Sequence, residues 1–171
     1  AIMGESRENP PDFVYASRDR IDESPGLARS VTDGRFMYTR VFKPHLPALK
    51  YQKYADVSDI VKQIRSDYEA GVLNSVQKLM LEERSRELLY DLKNDPWEIN
   101  NLANNNEYEP VLQKMQKAVR DHVKAIADVH FLPESMMVDR SGESDAYHIR
   151  ENSEHNPLDR LYEAASLVGG D

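Results

Sequence analysis

Leu27-Ala28-Arg29-Ser30-Val31-Thr32-Asp33-Gly34-Arg35-Phe36-Met37-Tyr38-Thr39-Arg40-Val41-Phe42 is the stretch that decides the fold. Leu27 to Thr32 alternates apolar and polar side chains, as a strand with one buried face does. Asp33-Gly34 marks a hairpin turn, because glycine accepts the positive φ a tight turn demands. Phe36, Tyr38 and Val41-Phe42 then continue as the returning strand. Toward the N-terminus, Ser24-Pro25-Gly26 is a turn, and Phe13-Val14-Tyr15-Ala16, aromatic and β-branched, predicts another strand. Before it, Asn9-Pro10-Pro11-Asp12 reads as a loop.

Toward the C-terminus the period changes. Lys43 to Tyr54 holds two prolines and little periodicity, which predicts a long loop. Val57, Ile60, Val61, Ile64 and Tyr68 fall on one helical face, with Gly71 as the stop. Val76, Leu79 and Met80 predict a second, short helix, and Glu87 to Leu92 another strand. Asp95-Pro96-Trp97-Glu98 reads as a helix start, with Asp95 as cap, Pro96 in the first turn and Glu98 reaching back. From about Glu109 a long helix is expected, with Val111, Leu112, Met115, Val119, Val123 and Ile126 as its apolar stripe. Asp139 to His155 is polar and reads as a surface loop or a disordered stretch. Asn156-Pro157 opens a last helix whose apolar face, Leu158, Leu161, Tyr162, Ala165 and Val168, needs a partner, part of it expected outside the chain. The order predicts an α+β fold: a small antiparallel sheet of about four strands with a long amphipathic helix packed on it. Residues 1–134 read as one subdomain and 135–171 as a polar tail with a short terminal helix.

The bulk chemistry narrows the function classes. A net charge of −8 disfavours nucleic acid, and no Lys/Arg run overrides it. No apolar run reaches the ~18 residues that crossing a bilayer takes, so no membrane partner is expected. With no cysteine, disulfides, thiolate metal sites and a Cys nucleophile are excluded from these residues. Ala1 to Gly4 is followed at once by Glu5, Arg7 and Glu8, which is no signal peptide; the opening reads as a cut in mid-chain, and a fragment is expected.

Several stretches together resemble a known family. Glu87-Leu88-Leu89-Tyr90-Asp91-Leu92-Lys93-Asn94-Asp95-Pro96-Trp97-Glu98-Ile99-Asn100-Asn101-Leu102-Ala103 resembles the run before the long helix in the C-terminal region of sulfatases. Tyr15 to Asp22, Arg29 to Phe42 and Phe131-Leu132-Pro133-Glu134 are similar to that family in the same order. The resemblance spans roughly residues 15–134 and is nearest to heparan N-sulfatases and bacterial polysaccharide sulfatases. Arg84-Ser85-Arg86 departs from it, where the family pattern has a proline and a second acid. The resemblance implies a larger α/β sulfatase. Its N-terminal catalytic domain would carry a formylglycine made from a Cys or Ser, and calcium to bind the sulfate oxygens. This part would help wall the pocket for a sulfated carbohydrate. It also implies a periplasmic or secreted location. The formylglycine motif is absent: Ser17-Arg18 lacks the proline at the needed spacing. No Asp-Asp or Asp-His cluster has metal-ligand spacing. Hence no catalytic residue and no metal ligand is assigned, and the chain alone is not expected to hydrolyse sulfate esters.

Arg18, Asp19, Arg20 and Asp22 follow a strand end, where loops reach clefts, and guanidinium forks suit the sulfate or carboxylate groups of an anionic sugar. The same residues also suit a salt-bridge cluster that anchors this subdomain to a larger one. His45, in Lys43-Pro44-His45-Leu46-Pro47, could bind or protonate a sugar group, or be a solvated loop histidine; Lys43 has the same standing. His122 reads as a half-buried helix residue, and His130, His148 and His155 are too scattered for a metal site. Trp97, inside a capped turn, reads as a packing anchor rather than a carbohydrate platform. Two rival readings stay open: a stand-alone binding module using the last helix, and a relative of the same superfamily acting on a phosphate or phosphonate ester.

Overall fold

The computed structural model describes residues 11–150 and 152–169. The expected loop at Asn9-Pro10 therefore falls partly outside the described residues. Strands β1 (Val14–Arg18), β2 (Ala28–Thr32), β3 (Phe36–Val41) and β4 (Glu87–Asp91) form one antiparallel sheet in the order β1-β2-β3-β4. The fold is the α+β arrangement the sequence predicts. The β2–β3 turn closes through Asp33, whose Oδ1 accepts the N–H groups of Arg35 and Phe36, while Gly34 takes φ 91°.

Register places Tyr15, Val31, Tyr38 and Leu89 in one row across all four strands. Helix α3 (Glu109–Ala125) covers that row with Leu112, Met115, Ala118, Val119 and Val123, all buried. Pleat and helical period thus supply the two faces of one core, as the hydrophobic spacing predicts. Exposed Ile126 alone leaves the predicted stripe, because it caps the helix end.

The end of α3 aims the chain back at the sheet. Asp128 N–H donates to Val123 O and Ala127 N–H to Lys124 O, with Ala127 at φ 49°. That is a Schellman motif with alanine in the left-handed position usually filled by glycine. It leaves Asp128 facing β2.

Helices α1 (Asp59–Glu69) and α2 (Ser75–Lys78) form where expected, and α2 has a full Asn74/Gln77 capping box. Yet α1 buries none of its residues: Ile60 is 72% exposed and Val57, just before it, 65%. Asp95-Pro96-Trp97-Glu98 does not start a helix. The Asp95 carboxylate accepts the N–H groups of Ile99 and Asn100, and Glu98 adopts φ 55°, so the segment closes as a turn. Trp97 is 82% exposed there, which corrects its reading as a packing anchor.

The tail carries more structure than its polarity indicates. Helix α4 (Glu134–Ser141) runs into the expected loop, and α5 (Ala146–Ile149) lies within it. The Asp145 side chain caps α5 and Ile149 buries beneath it, which repays the ordering of a polar stretch. Helix α6 (Leu158–Ser166) finds part of its partner inside the chain: Tyr162 packs edge-on against Phe42, with ring centroids 5.6 Å apart, and tilted against Phe131 at 5.4 Å, while Val168 of the same face stays exposed. Ala127→Gly should raise stability by about 1 kcal/mol by relieving a left-handed alanine. A urea unfolding midpoint that falls instead would show that the Ala127 conformation carries no strain.

Candidate functional site

The buried face of the sheet turns polar at one end. One pleat step from the Tyr15-Val31-Tyr38-Leu89 row lie Ser17, Arg29, Arg40 and Glu87, again in register. Arg29 and Arg40 therefore stand directly opposite each other, a like-charge pair that destabilises a sheet unless each cation has its own acid. Each does. Arg29 Nε donates to Asp128 Oδ2 at 2.6 Å, and its Nη1 donates to Asp19 Oδ1 at 2.9 Å. Arg40 lies 3.9 Å from Glu87 Oε1 and donates to Ser166 O. Glu87 also accepts the Tyr38 hydroxyl at 2.8 Å, and burial, then Glu87, pushes the Tyr38 pKa upward.

Beside Arg29 lies a cleft of about 230 Å³ lined by Tyr15, Ser17, Asp19, His122, Asp128 and His130 among others. His122 is half-buried as expected and stacks on Tyr15 with centroids 3.8 Å apart; burial lowers its pKa. The His130 ring lies 3.4 Å from Asp128, and that contact raises the His130 pKa. Burial alone would raise the Asp128 pKa, but hydrogen bonds from His130 and Arg29 hold it well below the usual carboxylate range.

The loop after β1 is a tiny hairpin. Ile21 and Ser24 exchange backbone hydrogen bonds at 3.0 and 2.9 Å, with Asp22 at φ 48°. It splays its charged residues in different directions. Asp19 turns inward to Arg29. Arg20 turns outward, its Nε 2.6 Å from Glu134 Oε1. Asp22 accepts from Gln52 at 3.4 Å. Arg18 is exposed and has no carboxylate partner among the described residues. His45 is exposed on its loop. Asp19, Arg20 and Lys43 do meet, with His130 and Glu134, around a second cleft of about 260 Å³. Gly26 is needed there: a Cβ on it would lie 2.5 Å from the Asp19 carbonyl oxygen.

The sequence reading passed over Arg29, Asp128 and Lys50. The alternation of Leu27, Arg29 and Val31 was the available signal, because it puts a cation on the apolar face, where it needs a carboxylate. Which carboxylate, 99 residues away, is a tertiary fact. Among the described residues no three His, Cys, Asp or Glu side chains converge as a metal site.

Asp128→Asn should cost about 3 kcal/mol, since it leaves a guanidinium buried at 4% exposure with one acid lost. Combined with Arg29→Met, the loss should be smaller than the sum of the single losses. The pH profile follows from the shifts. Asp128 is depressed, so its contribution is full above its unfolded value of about 3.9 and is lost on acidification. His130 is raised, so its contribution is full below its unfolded value of about 6.5 and is lost as pH rises through the folded one. Stability should therefore peak between about pH 4 and 6.5, and Asp128→Asn should flatten both limbs. An unchanged profile in thermal unfolding would refute the assignment.

No family model matches the chain. The chain is 30% identical over 145 residues to an ulvan-active sulfatase from Formosa agariphila, an alignment that takes in 82% of this chain. The chain spans about a quarter of the length of that relative, 24%, and matches only its C-terminal part. Through that match, the chain is related to the sulfatase family.

Proposed function

We propose that this chain is the C-terminal subdomain of a longer sulfatase that removes sulfate from a sulfated carbohydrate, and that it helps wall the substrate pocket. The observation that carries the reading is the match to the C-terminal part of an ulvan-active sulfatase. The exposed apolar residues Val57, Ile60, Val72, Val76 and Leu79 support it, because this much apolar side chain left in water along one connection suits a surface that is covered. In our reading the N-terminal catalytic domain covers it, and the protein works in the periplasm or outside the cell.

Calcium and formylglycine do not fit the residues described here. There is no converging carboxylate cluster among them and no cysteine or matching serine motif in the sequence. In this reading both belong to the rest of the protein, and the chain by itself does not catalyse the reaction. Its contribution is positional. Arg20 stands at the rim of the 260 Å³ cleft beside Lys43, held by Glu134 and the Asp22 carbonyl. An exposed guanidinium oriented in this way suits a sulfate or carboxylate group of the sugar. Part of the apolar face of α6 packs internally, with Tyr162 against Phe42 and Phe131, which leaves less of it for the partner that a stand-alone binding module would dock.

The intact protein should release inorganic sulfate from a sulfated polysaccharide. Arg20→Ala should lower kcat/KM by about tenfold or more, the loss of one charge-assisted hydrogen bond. Phosphate release without sulfate release would move the reading to phosphate esters. An Arg20→Ala enzyme with unchanged kcat/KM would remove this residue from the pocket.

A further inference from the structure

The two buried arginines of the sheet each have carboxylates, but Lys50 does not. Lys50 is 7% exposed, and its Nζ makes no hydrogen bond among the described residues. Burial weighs most on its ammonium, and the charges that act on it are cations. Arg18, Arg84 and Lys43 act on it, and together with burial they lower its pKa to about 8. Burial and Arg18 also lower the Arg84 pKa. Contacts along the chain bring the segments that carry these cations near one another. Gly26 faces Arg18, whose Cγ would lie 3.7 Å from an added Cβ, and Gly26 also shares the lining of the 260 Å³ cleft with Lys43. Arg84 is clasped to the loop before Lys50, with its N–H on Pro44 O at 2.9 Å and its Nε on Leu46 O at 3.1 Å.

The loop is built to hold this arrangement. Arg65 donates to the Lys50 carbonyl and pairs with Asp56, and Leu49 N–H donates to Met80 O at 2.7 Å. These contacts fix the segments of Arg84 and Lys50, and no carboxylate is among the charges that act on the Lys50 ammonium. A buried ammonium without a hydrogen-bond partner calls for an explanation, and an anion from outside the chain supplies one.

We infer that Arg18, Lys43, Lys50 and Arg84 form an anion site that takes a sulfate or carboxylate group of an anionic sugar chain. The anion class rests on the cluster alone; the sugar as its source rests on the sulfatase reading above. Arg18 is exposed and Lys43 and Arg84 are partly exposed, so the anion arrives at these three, with Lys50 beneath them. Lys43 also borders the open cleft that Arg20 lines, which provides room for the rest of a sugar chain. A nucleic acid is disfavoured by the net charge of −8.

The test is a titration of the intact protein with sodium sulfate against sodium chloride at constant ionic strength, followed by calorimetry and by thermal unfolding. Sulfate should bind saturably and raise Tm while chloride does not. Lys50→Met, which keeps the aliphatic volume, and Arg84→Met should each weaken sulfate binding at least tenfold. Lys117→Met, on the exposed face of α3, should leave it unchanged. Equal sulfate binding by wild type, Lys50→Met and Arg84→Met would overturn the site, as would no binding at all. Should one variant fail to fold, the other decides. A sulfated oligosaccharide should compete with inorganic sulfate where its desulfated form does not; no competition would overturn the sugar as the source. Binding is read without turnover, so the two readings fail separately. Sulfate release without sulfate binding at Lys50 sinks only this site, and binding without sulfate release sinks only the sulfatase reading.

Discussion

Arg29 lies on the buried face of β2, opposite Arg40, and a guanidinium in that place requires carboxylates from elsewhere in the chain. Asp128 comes from the turn after α3, and Asp19 from the hairpin after β1. The pair thus joins three parts of the fold at one point: the sheet, the C-terminal end of its covering helix and the loop that borders both clefts. A buried pair of this type adds little net stability compared with an apolar replacement, but losing one partner is costly. Its consequence here is positional. With Asp128 held to Arg29, the turn at Ala127 and the start of α4 have one place to go, and Glu134 comes within reach of Arg20.

The sheet makes this economical. Its strands follow chain order, so each pairs with its neighbour in sequence, and the β3–β4 connection is the one long excursion. That excursion, residues 42–86, contains both unusual surfaces of the molecule. One is the apolar face of α1 and α2, left open to solvent. The other is the cation cluster at Lys50, Lys43 and Arg84, which Arg18 joins from β1. Both lie away from the α3 core and are structurally affordable because the four-stranded sheet and α3 do not depend on them.

Such surfaces make sense in a chain that corresponds to about a quarter of its sulfatase relative. Apolar residues are exposed there, and the Lys50 ammonium has no hydrogen-bond partner among the described residues. The core itself is complete: Tyr38, Leu89, Met115, Val31 and Val119 are nearly or fully inaccessible.

Much of the architecture was legible in the residue order. The alternation from Leu27 to Thr32, the Asp33-Gly34 turn, the strand at Glu87 and the stripe of α3 all rest on periodicities of two or 3.6, which are local properties of the backbone. The charged loop from Arg18 to Asp22 was visible as a candidate, because residue type alone marks it. Other features were not local. Asp95-Pro96-Trp97-Glu98 carries helix-start residues, but the Asp95 carboxylate took two backbone N–H groups and closed a turn. The polar segment around Asp145 reads as a surface loop or a disordered stretch, but it forms a short helix because Ile149 finds a buried position. The α6 face needs a partner, and which residues supply part of it, Phe42 and Phe131, is not written in the helix itself. The sequence by itself determined the strands, the long helix and their faces, because burial period is written along the chain. Only the tertiary structure decided that Asp19 serves Arg29 while Arg20 serves Glu134, and that Lys50 lies buried among cations. Those outcomes depend on which charges, tens of residues apart, the folded backbone brings within hydrogen-bond reach.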